Sequence, residues 1–141
     1  MSATGLDAFD TSVQTTDIWL RDLMAELGWE DRHKAYHAMR VVLHALRDRL
    51  PVDEAVQLAA QLPMLVRGFY YEGWRPHGKP VKERSRDEFL AHVTDGFLFD
   101  PEADSERIAR AVFTVLARHV SGGEIEDVKS TLPAGVRRLW P

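Results

Sequence analysis

Residues 16–71 and 86–141 share one rhythm of apolar and polar positions in a gapless register. Pro133 lies 70 residues after Pro63. At that same spacing Arg40 meets Arg110, Val42 meets Val112, Leu46 meets Leu116, Glu54 meets Glu124, Leu62 meets Leu132, Val66 meets Val136 and Arg67 meets Arg137. Leu43/Phe113, Leu50/Val120, Leu58/Val128, Phe69/Leu139 and Tyr70/Trp140 keep apolar character at the paired positions, and Trp29 meets Phe99. Self-similarity at a fixed period marks a unit built more than once. The expectation is a tandem duplication: repeat one 16–71, a linker 72–85 and repeat two 86–141, in a single helical domain 16–141. Residues 1–15, acidic and polar, are expected to form a flexible tail.

Each half reads as helices. WLRDLMAEL and FLAHVTDGF carry apolar residues at i, i+1, i+4 and i+8, one helical face. Tyr36, Met39, Leu43, Leu46 and Leu50 form a stripe, as do Ile108, Val112, Val115, Leu116 and Val120. Asp31 is placed to start one helix, Ser85 with Glu88 and Ser121 with Glu124 have capping-box spacing, and Asp100 before Pro101 suggests another start. Pro63 and Pro133 cannot sit deep inside a helix without cost, so each is expected to open a short fourth helix. No alternating strand pattern of useful length is present. The fold class is therefore all-α: a compact orthogonal bundle of two pseudo-symmetric repeats of about four helices each. The short proline-initiated helices leave little room for a parallel bundle.

The run AYHAMRVVLHALRDRLPVDEAVQLAAQLPMLVRGFYYEGWRP resembles the bacterial family named "domain of unknown function 2267", and SGGEIEDVKSTLPAGVRRLWP resembles its closing motif. The resemblance covers about residues 16–141. It implies a small helical bacterial protein with no established activity and brings no catalytic residues. His37 stands where that family more usually has an arginine, so a histidine-based site would not be a family trait.

Composition narrows the function classes. With 141 residues a core can form without staples. The absence of cysteine excludes disulfides and thiolate chemistry and fits a cytoplasmic location. No apolar run approaches a membrane span, and the N-terminus has no signal-peptide pattern. A net charge of −4 disfavours nucleic acid as a partner. Neither a phosphate-cradling glycine loop nor a nucleophile elbow is found, so no enzyme and no cofactor is expected.

Three constellations remain. GFYYEGWRP places Tyr71, Trp74 and Arg75 at the joint between the halves, where they either buckle the two together or contact a partner protein. Arg40 and Arg67, shared with the second half, could serve an anion or nucleic-acid site together with the basic linker, whose positive residues are Arg75, Lys79, Lys82, Arg84 and Arg86. The structural alternative is that Glu54 and Glu124 each pair with one of the shared arginines or cap their helices. His33, His37 and His44 share one narrow helical stripe, about 40° wide at 100° per residue, and are candidate metal ligands. That stripe lies roughly opposite the apolar face and is expected to be wet. The first reading is a non-enzymatic interaction or scaffold protein with a protein partner, or a second copy of itself; anion binding is the alternative and the metal site a weaker one.

Overall fold

Ala35, Ala38, Met39, Val42, Leu43, Ala45 and Leu46 recur at spacings of three and four, and the helix they specify buries this face from Ala35 onward. It is the second of eight in the computed structural model, which describes residues 2–141. The order is α1 (Asp7–Leu27), α2 (Arg32–Arg47), α3 (Val52–Ala60), α4 (Met64–Tyr71), α5 (Arg86–Asp95), α6 (Ser105–His119), α7 (Gly122–Ser130) and α8 (Ala134–Arg137). Every regular element among the described residues is helical, and one contiguous apolar core runs from Trp19 to Trp140. The two most buried helices, α2 and α6, pack against each other. Around them, α1 covers both, α5 covers both, α4 closes on α2 and α7 on α6.

The helix ends follow local chemistry. Asp31 accepts the Lys34 amide at 3.1 Å and starts α2. Ser85 and Glu88 form a full capping box on α5. Pro63 and Pro133 stand at the N-caps of α4 and α8, so each proline does begin a separate short helix. Gly28, at φ 67°, ends α1 in the left-handed conformation that glycine adopts without strain.

Two expectations are corrected. The tail does not extend to residue 15: α1 begins at Asp7. Threonine and serine favour helices poorly, which made TSVQTTD look loose. Tertiary contact decides otherwise, because Ser12 and Thr16 are buried and the Ser12 hydroxyl accepts the Leu65 amide of α4 at 3.2 Å. Second, α6 is capped by Asp104, which accepts the Arg107 amide at 3.1 Å. Asp100 instead turns toward α2 and meets Lys34 at 2.8 Å.

Gly96 marks the tightest helix approach. A Cβ there would lie 2.7 and 2.8 Å from the two γ-methyls of Val41 on α2. Gly96→Ala is expected to destabilise the protein by about 1–3 kcal/mol through overpacking. In urea unfolding the Val41→Ala, Gly96→Ala double variant should be less destabilised than the two single effects added together.

Candidate functional site

The joint between the halves is held from behind by α2. Arg47, which is buried, donates from Nη1 to the Tyr70 carbonyl at 2.6 Å and to the Glu72 carbonyl at 2.8 Å, and its Nε reaches Asp48 at 3.0 Å. One turn away His44 Nε2 lies 2.6 Å from the Phe69 carbonyl, and Arg40 Nε meets the Glu72 carboxylate at 3.0 Å. Tyr70 is fully enclosed and donates its hydroxyl to the Ala55 carbonyl at 2.8 Å; burial holds its phenol far above the ordinary value. Gly73, at φ 74°, then turns the chain so that Trp74 folds back on Tyr71, with ring centroids 5.4 Å apart. Tyr71 and Trp74 are half-buried against the core, and the indole Nε1 of Trp74 is enclosed without a partner. Of the three joint residues singled out in the sequence, only Arg75 is exposed. The joint is thus packed onto α2 and α3 of the first half.

The shared arginines serve the fold. Arg67 donates to the Ala59 and Leu62 carbonyls, each at 2.9 Å, and closes the α3–α4 turn. Arg137 does the same to Lys129 and Leu132 at 3.0 and 2.8 Å. Arg40 is committed to Glu72, and Arg110 to Glu106 and the Arg138 carbonyl. In the linker, Arg84 bonds the Thr131 carbonyl and Arg86 bonds Glu106. Arg40 and Arg67 are thus each engaged by groups of the fold, Arg40 with Glu72 and Arg67 with the α3–α4 turn.

The histidine stripe is not brought together as a ligand set. His33 is exposed and edges Tyr36, whereas His37 and His44 are half-buried. His37 Nε2 sits 2.6 Å from the Gly96 carbonyl as His44 Nε2 does from Phe69. A carbonyl only accepts, so both Nε2 atoms carry the proton and are unavailable to a metal. Burial lowers the His44 pKa, with Arg47 and Arg40 adding to the effect. The expectation of a wet stripe fails because α4 and the Gly96 turn cover it.

His33 and His37 do share a cleft. Together with Asp31, Lys34, Phe99 and Asp100 they line a cavity of about 410 Å³ between the start of α2 and the α5–α6 loop. An aromatic cluster backs His37 and Phe99: His37 lies 5.0 Å from Phe97 and 5.7 Å from Phe99, and Phe97 lies 6.4 Å from Trp29. The Lys34 ammonium sits 4.3 Å above the Trp29 ring while pairing with Asp100. That hydrogen bond and the Glu102 amide hold the Asp100 carboxyl below the usual range. On the rim, Leu98 is 76% and Phe99 70% exposed, the two most exposed large apolar side chains of the described residues. Sequence reading missed this pair because Phe99 aligns with Trp29, a match that says nothing of exposure.

A second feature was also missed. Glu54 and Glu124 face each other rather than the arginines, with Asp127 beside them; their oxygens lie within 4.8 Å of one another. Ser121 caps α7 through the Glu124 amide, but the Glu124 carboxylate points to Glu54 instead of completing the box. The shared spacing showed that both halves keep a glutamate, but not that the two would meet.

No helix of the described residues is long and apolar enough to cross a membrane. No curated protein matches the chain. A family model described as an uncharacterized conserved protein matches residues 16–139, which takes in every helix except the start of α1. With that match across the core, the joint and both short proline-capped helices, the chain belongs to the DUF2267 family.

Proposed function

We propose that this protein is a non-enzymatic interaction protein of the bacterial cytoplasm that docks a segment of a partner protein in the cleft between α2 and the α5–α6 loop. The observation that carries the reading is the adjacent exposure of Leu98 and Phe99, the latter lining the cavity with His33 and His37. Large apolar side chains exposed together beside a concavity are a mark of binding surfaces. The cleft's own charges are largely spent, Lys34 on Asp100 and Asp31 on the Lys34 amide. The occupant it suits is therefore an apolar or aromatic side chain of the partner rather than an anion. Tyr71 and Trp74 are half-buried against the core, so the expected contact surface moves from the joint to the cleft; of Tyr71, Trp74 and Arg75 only Arg75 is exposed.

The test compares wild type, Leu98→Ser/Phe99→Ser and Trp74→Ala/Arg75→Ala, each shown to be folded, for protein retained from native lysate. A protein held by wild type and by the joint variant, but lost by the cleft variant, supports the reading. Equal retention by all three overturns it. A concentration-dependent dimer in sedimentation that the cleft variant abolishes would make the occupant a second copy of this chain.

We further propose that the two halves are a tandem duplication. In support, α3 and α7 are each nine residues long, starting at 52 and 122, and Arg67 and Arg137 bond to carbonyls at equivalent places.

A further inference from the structure

The α3–α7 seam joins the two halves of the chain, and its polar groups are unusual. On one side Gln61 and Ser121 clip together: Gln61 Nε2 donates to the Ser121 hydroxyl at 3.0 Å and accepts the Ser121 amide at 2.9 Å through Oε1. At its middle Glu54 and Glu124, 7% and 8% exposed, bring carboxyl oxygens together with no basic side chain between them. Two buried carboxylates this close cannot both stay ionised without a compensating charge. The groups around them supply none. From α7 the neighbour is Asp127, which adds negative charge; from α4 it is the Tyr70 hydroxyl, already donated to Ala55. Arg67 and Arg137 lie at the far ends of α3 and α7, bound to carbonyls there. Lys129 is turned to Glu126. The Glu124 Oε2 atom is enclosed and has no donor partner unless one of the two acids is protonated.

We propose that Glu54 and Glu124 share one proton across the α3–α7 seam, and that loss of this proton loosens the seam as the pH rises past neutral. Burial, reinforced by the Glu54 charge, pushes the Glu124 carboxyl up to about 7, and burial raises Glu54 as well. Both glutamates occupy the third position of their helices, where the positive helix end favours the ionised form; burial and the facing acid outweigh it.

The sign follows from linkage. A carboxyl raised in the folded state binds its proton more tightly there than in the unfolded chain. Its stabilisation is complete below the ordinary carboxylate range and is lost as the pH climbs through about 7. Half-buried His44 and His92, both lowered by burial, contribute the opposite slope, so the pair is isolated only by difference.

The experiment is urea unfolding of wild type, Glu124→Gln and Glu54→Gln from pH 5 to 8, with a carbon-13 carboxyl NMR titration of the wild type. Glutamine mimics the protonated acid and donates to the remaining carboxylate. Relative to Glu124→Gln, the wild-type unfolding constant should rise by up to about tenfold per pH unit between pH 5 and 7. The Glu124 carboxyl should titrate near 7 and be unmoved by millimolar magnesium or calcium. Titration of both glutamates in the ordinary range of about 4.3 overturns the proposal. So does a wild-type slope that persists in both glutamine variants, or a carboxyl shift driven by the added metal. The NMR readout stands even if neither variant folds.

Discussion

Truncation of Trp140 to alanine should destabilise the protein by about 3–5 kcal/mol, although the residue is next to the end of the chain. Trp140 is 5% exposed, and its ring stacks on Phe113 with centroids 4.1 Å apart and planes 3° from parallel. Phe113 in turn lies 5.7 Å from Phe89 of α5, so the last residues bridge α6 and α5 through one aromatic column. The indole Nε1 is buried without a partner, so the ring acts here through its area and not its polar edge. Trp140→Phe should therefore keep most of the stability. Urea midpoints at constant slope would show both effects. A Trp140→Ala loss below about 1 kcal/mol would mean that the terminus frays in solution.

Replacement of Arg47 by alanine should cost about 3–5 kcal/mol, the scale for breaking a buried charged network. Its guanidinium holds the Tyr70 and Glu72 carbonyls and Asp48 together beneath the joint. Removing it leaves two carbonyls and a carboxylate without their donor. Arg47→Lys should recover only part of the loss, because one ammonium cannot span the fork that the guanidinium fills. Amide exchange should show the local effect at residues 69–74, which lose protection before α6 does. Equal loss across the whole chain would mean that Arg47 supports the core rather than the joint.

The helices were legible wherever local chemistry acts alone. The caps at Asp31 and Ser85 and the breaks at Pro63 and Pro133 rest on interactions spanning three or four residues, which a sequence displays directly. The start of α1 was not legible, because Ser12 is tied to Leu65 of α4, more than fifty residues away. Asp100 had the form of a cap and does accept the Glu102 amide while its other oxygen meets Lys34, but the helix starts only after Asp104.

The candidate sites divide in the same way. Spacing placed His33, His37 and His44 on one stripe, and that stripe exists. Which ring nitrogen stays free depends on the Gly96 and Phe69 carbonyls, and these arrive from other helices. The glutamates at 54 and 124 were visible as equals in the two halves. Only packing of α3 on α7 turned two surface acids into a facing pair.

From its own residues, then, the chain determines an all-helical fold, the stripe each helix buries and several of its ends, because hydrophobic periodicity and capping act between near neighbours. Tertiary structure alone decides which arginines clamp carbonyls, that Tyr71 and Trp74 fold onto the core, and that Leu98 and Phe99 are left in water. Those outcomes depend on which groups meet across long stretches of sequence, where burial and like-charge repulsion depend on three-dimensional distance and not on spacing.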